Sequence, residues 1–95
     1  QPVSSSIPQE FSLSQNYPNP FNPMTNVKIQ MSTGGFTKLT VFDITGKEVQ
    51  VLVNDHLNAG TYSVNFDASE YSSGIYFYTL TAGNFSQTRK MVLIK

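Results

Sequence analysis

The chain contains no cysteine, no tryptophan, a single histidine and few charges. Without cysteine there can be no disulfide framework, no thiolate zinc site and no thiol nucleophile. Charged residues make up 13% of the 95 residues, about half of the usual ~25%. The six basic and six acidic side chains cancel, so there is no electrostatic case for nucleic acid or an anionic membrane as a partner. No apolar run approaches the roughly 18 residues of a membrane-spanning helix, and no membrane insertion is expected. The opening Gln1-Pro2-Val3-Ser4-Ser5-Ser6 has neither Met nor an apolar core. No signal peptide is therefore expected, and the sequence reads as a piece of something longer.

What is present is apolar and aromatic. Hydrophobic residues reach 39%, with seven Phe and five Tyr. That argues against disorder and suits a pleated, half-buried surface. Residues 1–10 are rich in Ser and Pro without any period and read as a linker. Phe11 to Asn16 alternates briefly. Pro18, Pro20 and Pro23 then fall within six residues and forbid both a helix and a central strand there. The large Tyr17 and Phe21 make this segment a packed corner rather than a loose loop.

Beyond the corner, alternation with period two recurs between regular turn signals. Strands are expected over Thr25 to Met31, Lys38 to Asp43, Glu48 to Val53, Thr61 to Asp67, Ile75 to Ala82 and Phe85 to Ile94. Gly34-Gly35, Thr45-Gly46-Lys47, Asn58-Ala59-Gly60, Ser72-Ser73-Gly74 and Gly83-Asn84 punctuate them. With Phe11 to Asn16 this makes about seven antiparallel strands and no sustained helical period. The expected fold is all-β, an immunoglobulin-like two-sheet sandwich over residues 11–95. Ser73 to Tyr78 fits either the tyrosine corner of such domains or an ordinary aromatic strand. On the first reading Tyr76, Tyr78 and Leu80 point inward.

The inventory for catalysis is thin. His56 sits in a polar stretch, Asn54 to Leu57, expected as a loop, and one His beside Asp55 falls short of a zinc site. Ser72 or Ser73 with His56 lacks any nucleophile elbow. Asp43, Asp55 and Asp67 lie near strand ends, where Asp caps turns, and no calcium-loop pattern appears. Gly34-Gly35 lacks the context of a phosphate cradle. Asn84-Phe85-Ser86 matches a glycosylation sequon at a place where a hairpin wants Asn anyway. A Lys–Asn isopeptide bond is a further idea, one that intact mass would settle. No catalytic, metal-binding or cofactor-binding residue is expected. Met91-Val92-Leu93-Ile94 is apolar on both faces between Lys90 and Lys95, more than a half-exposed strand needs. Lysines flanking such a strand fit both recognition by a partner and protection against edge aggregation, and this last strand is the candidate functional element.

Three segments carry a family likeness. They are Asn16-Tyr17-Pro18-Asn19-Pro20-Phe21-Asn22-Pro23 with Thr25, then Leu39 to Val49 around Asp43-Ile44-Thr45-Gly46-Lys47, and Ser73 to Leu80 with the final Lys90 to Lys95. In this order and spacing the chain resembles the type A C-terminal sorting domain of type IX secretion substrates, and the related immunoglobulin-like domain of flagellar hook-capping proteins. The resemblance covers residues 11–95. It implies a secretion signal that follows a cargo region in proteins of Bacteroidota and neighbouring phyla. Its implied partners are the outer-membrane translocon, met from the periplasm, and a sortase-like peptidase. The peptidase removes the domain by a cut within or before residues 1–10, or attaches the cargo at the cell surface. The family positions fall on Pro18, Asn19, Pro20, Phe21, Gly46, Gly74, Tyr76, Lys90 and Lys95. Translocon recognition is expected over Lys90, Met91, Val92, Leu93, Ile94 and Lys95. The alternative function is a spacer or carbohydrate-binding module, with Phe42, Phe77 and Tyr71 as sugar platforms if they face outward.

Overall fold

The computed structural model describes residues 2–4 and 10–95. The remainder of the expected linker, with any cut site there, lies outside the described residues. The described chain forms eight strands: β1 Pro2–Ser4, β2 Ser12–Leu13, β3 Met24–Met31, β4 Gly35–Phe42, β5 Glu48–Leu57, β6 Gly60–Asp67, β7 Gly74–Ala82 and β8 Phe85–Leu93. They make two four-stranded sheets, β1-β6-β3-β2 and β5-β4-β7-β8, and every pair is antiparallel. The crossed pairings β3–β6 and β4–β7 are those of the B–E and C–F strands in an immunoglobulin-like sandwich, the fold class expected from the alternating strands.

Period-two alternation explains the core directly, because residues at every second position share a face. Val27, Ile29 and Met31 face Leu39, Val41, Tyr78, Leu80, Met91 and Leu93 across the sheets, all at most 1% exposed. Tyr76, Tyr78 and Leu80 do point inward. The Tyr76 hydroxyl donates to the Ser72 carbonyl four residues back, at 2.8 Å, which makes this a tyrosine corner and not an ordinary aromatic strand. Tyr62 repeats the device in the other sheet, donating to the Asn58 carbonyl at 2.7 Å.

Two strands run further than their alternation suggested. β4 starts at Gly35, and β5 continues through Asn54 to Leu57. His56 is therefore not in a loop: it pairs with Phe36 at the exposed end of the sheet. Conversely, the Phe11 to Asn16 stretch yields only a two-residue strand. Beyond it the chain leaves one sheet for the other.

Candidate functional site

The segment between β2 and β3 is where that crossing happens, and it ends against β8. Asn16 is buried, at 2% exposed, and its N–H and side-chain amide are matched, the Oδ1 accepting from Gln15 Nε2 at 2.7 Å. Its N–H donates to the Tyr78 hydroxyl at 2.8 Å, and its Nδ2 donates to the Pro18 carbonyl and to Thr25 Oγ1. Thr25 Oγ1 in turn donates to the same Pro18 carbonyl at 2.8 Å. Buried polar groups are costly unless satisfied, so this network fixes the corner in one shape. Tyr78 completes it by donating to the Ser14 carbonyl. Burial pushes its phenol pKa up from 10.0, against the Asn16 N–H and the Arg89 charge, which pull it down.

The corner then closes on the last strand. Phe21 forms a parallel bridge with Leu93: its N–H donates to the Val92 carbonyl and its carbonyl accepts from the Ile94 N–H, both at 3.0 Å. Asn19 Oδ1 accepts from the Val92 N–H at 2.9 Å. The Phe21 ring, 2% exposed, plugs the core and lies 6.1 Å from Phe66. Further back, Gln15 Nε2 donates to the Lys90 carbonyl. Gln87 and Arg89 reach the other way, to the Leu13 N–H and carbonyl. An edge strand exposes unpaired backbone groups, and here residues 15–21 cover the C-terminal end of that edge, at Lys90 and Val92.

Gly46 and Gly74 belong to the same end of the molecule. The hairpin of Asp43 to Lys47 follows Phe42, which pairs with Phe77, which pairs with Lys90. Asp43 Oδ1 accepts from Thr45 and Lys47. The Thr45 hydroxyl, then the Lys47 N–H, hold its carboxyl below its ordinary 3.8. Gly46 at φ 88° allows the turn, a backbone state that L side chains avoid. Gly74, at φ 155°, opens β7 opposite Leu93. Lys95 is tied down as well: its N–H donates to Ser73 Oγ and its Nζ to the Ser69 carbonyl at 2.5 Å. Asp67 beside it accepts from Ser69, and this bond first, with the Lys95 charge, lowers its pKa below 3.8.

Three segments far apart in sequence thus meet at one pole of the sandwich. The family model for the secretion system C-terminal sorting domain matches residues 15–95. The chain belongs to that family. A sorting domain of type IX secretion is a signal carried by a cargo protein for export to the cell surface or beyond, and is not itself a catalyst. No curated protein matches the chain.

Within this sorting domain the six residues from Lys90 to Lys95 divide by face. Met91 and Leu93 are core. Lys90 is exposed and Val92 half-buried on the outer face of β8, and Ile94, the first residue past the strand, is exposed as well. Val92 lies beside Ile75, and Lys90 beside Phe77. The outer face of the other sheet is polar by contrast, pairing Lys28 with Ser63, Asn26 with Asn65 and Gln30 with Thr61. Of the three aromatics considered as sugar platforms, Phe42 and Phe77 are half-buried on strands. Tyr71 instead packs on Phe66 and Tyr76, and its hydroxyl donates to Val49 and Gln50. The sequence reading missed Gln15, Gln87 and Arg89, whose contacts span 74 to 76 residues.

Proposed function

We propose that the translocon reads the motif pole of this sorting domain, chiefly the outer face of its last strand and the residue past it: Lys90, Val92 and Ile94. The observation that carries the reading is the convergence of the Pro18–Phe21 corner, the Gly46 hairpin, the Gly74 turn and the last strand on one end. Lys90 supplies an exposed cation there, and Val92 and Ile94 supply the apolar contact. Met91 and Leu93 anchor the strand from beneath. Pro18, Asn19, Pro20 and Phe21 hold its edge, Gly46 and Gly74 shape the adjoining turns, Tyr76 pins the start of β7, and Lys95 fastens the tail. The contact takes place from the periplasm. Residues 11–95 act as the sorting unit and residues 1–10 as the connection to cargo, of which Pro2–Ser4 pair with β6 as the edge strand β1. A sortase-like peptidase cuts that connection, releasing the cargo or attaching it to the surface.

The structure dictates how to test this. Deleting residues 90–95 would strip Met91 and Leu93 from the core and confound recognition with unfolding. A triple substitution Lys90→Glu, Val92→Thr and Ile94→Ser alters the outer face and Ile94 alone. Fused to a periplasmic reporter in a type IX-secreting host, the parent domain should carry the reporter out. The triple variant, folded, should leave it in the periplasm. Normal export of the triple variant would remove the last strand from the account.

A further inference from the structure

The strap of residues 15–21 leaves part of the β8 edge open. In an antiparallel ladder, alternate residues turn both backbone groups toward one neighbour. Val92 turns both of its groups outward, to Asn19 and Phe21. The β7–β8 register is unbroken, so Lys90, Thr88 and Ser86 turn outward too. The 2.7 Å approach of Thr79 Oγ1 to Thr88 Oγ1 agrees with a non-hydrogen-bonded pair. Gln15 takes the Lys90 carbonyl. Among the described residues nothing takes the Lys90 N–H or either backbone group of Thr88 and Ser86.

Beside this window lies a cavity of about 450 Å3, lined among others by Phe11, Met31, Gly35, Ala82 and Phe85. Phe11 and Phe85 stack at 5.5 Å to form one wall. Its volume falls within the range of ligand sites, about 300–1,000 Å3. A Cβ added at Gly35 would meet nothing within 4 Å.

We infer that the Ser86–Lys90 edge and this cavity together accept an extended segment of the export machinery, which adds a fifth strand to the β5-β4-β7-β8 sheet. A row of alternating free N–H and C=O groups is complementary to an extended backbone and to little else. The partner residue opposite Phe85 points to the same side as Phe85, where the cavity opens, and there a large apolar or aromatic side chain would lodge. Backbone bonds would supply affinity and the cavity specificity. The inference rests on the sorting reading, and extends it from the motif pole toward the opposite pole.

The test uses the same reporter fusion. Thr88→Pro removes one outward N–H and places a ring on the edge; it spares every β7–β8 backbone hydrogen bond and loses only the Thr79–Thr88 hydroxyl contact. Gly35→Leu fills the cavity from the far side and serves if the proline variant does not fold. Either variant, with its melting temperature retained, should lower export about tenfold, the effect of losing ~1.4 kcal/mol. Export at the parent level by a folded Thr88→Pro or Gly35→Leu protein overturns the inference. The triple variant of Lys90, Val92 and Ile94 separates the two ideas. If it blocks export while the edge variants do not, only the added strand fails; if it too is exported normally, the sorting-surface reading fails with it.

Discussion

Asn19→Ala asks whether the Pro-rich corner is a clamp or an epitope. Asn19 is exposed, so truncating it costs little apolar burial. What it loses is one bond, from the Val92 N–H to Asn19 Oδ1 at 2.9 Å. Such a bond contributes roughly 0.5–1.5 kcal/mol, and 1.4 kcal/mol is a factor of about ten in an opening equilibrium. Hydrogen exchange of the Val92 amide should therefore speed up by roughly 2- to 13-fold. The Met91 amide, which faces β7, should change far less. Phe21→Ala makes a useful contrast, since it also empties a core position and should cost about 3–5 kcal/mol, a large part of a small domain's ~5–15 kcal/mol. Unchanged Val92 exchange in Asn19→Ala would refute the clamp. If export fell all the same, Asn19 would have to touch the partner directly.

Further predictions follow from the hydroxyls and carboxylates. Tyr76→Phe and Tyr62→Phe should each cost about 1 kcal/mol, or ~5 °C in melting temperature, and the double variant about twice that, because the two corners sit in different sheets; a loss confined to one of them would mean that only one corner bears load. Asp67 has a depressed folded pKa, so its contribution is full above its ordinary 3.8 and fades as pH falls through the lower folded value. Melting curves from pH 7 to pH 2 should show a shallower acid limb for Asp67→Asn, and superimposable limbs would count against the Ser69–Asp67–Lys95 linkage. Tyr78 has a raised folded pKa; its contribution is full below 10.0 and is lost as pH rises through the higher folded value, so the parent should lose stability more steeply than Tyr78→Phe above pH 10.

The strands were legible because a half-buried strand writes its period into its own residues: Val27-Lys28-Ile29-Gln30-Met31 needs no neighbour to be read. Asn54 to Leu57 was not, since Asn54, Asp55 and His56 are all exposed at the sheet's end and only Leu57 packs on the core, which leaves no alternation to read. Gly74 and the turn before it made a corner at Tyr76 one of two readings, and the bond to the Ser72 carbonyl decides between them. Gly60-Thr61-Tyr62 carries the same spacing, a signal present in the sequence that would have located the second corner. The clamp left no local trace. Asn19 and Val92 lie 73 residues apart, and a side-chain amide that satisfies a distant edge strand has no period and no required neighbour. Both segments were singled out separately, the corner by its prolines and aromatics and the last strand by its two-faced apolar run; only the topology makes them one surface. It also splits the apolar run Met91 to Ile94, half of which is ordinary core.

The most direct measurement is the extracellular fraction of a reporter carrying this domain with Lys90→Glu, Val92→Thr and Ile94→Ser, taken alongside its melting temperature. The variant domain should melt within a few degrees of the parent, about 1 kcal/mol or less, and its reporter should stay in the periplasm. A reporter exported at the parent level would contradict the sorting-surface reading, and would move the signal away from the last strand.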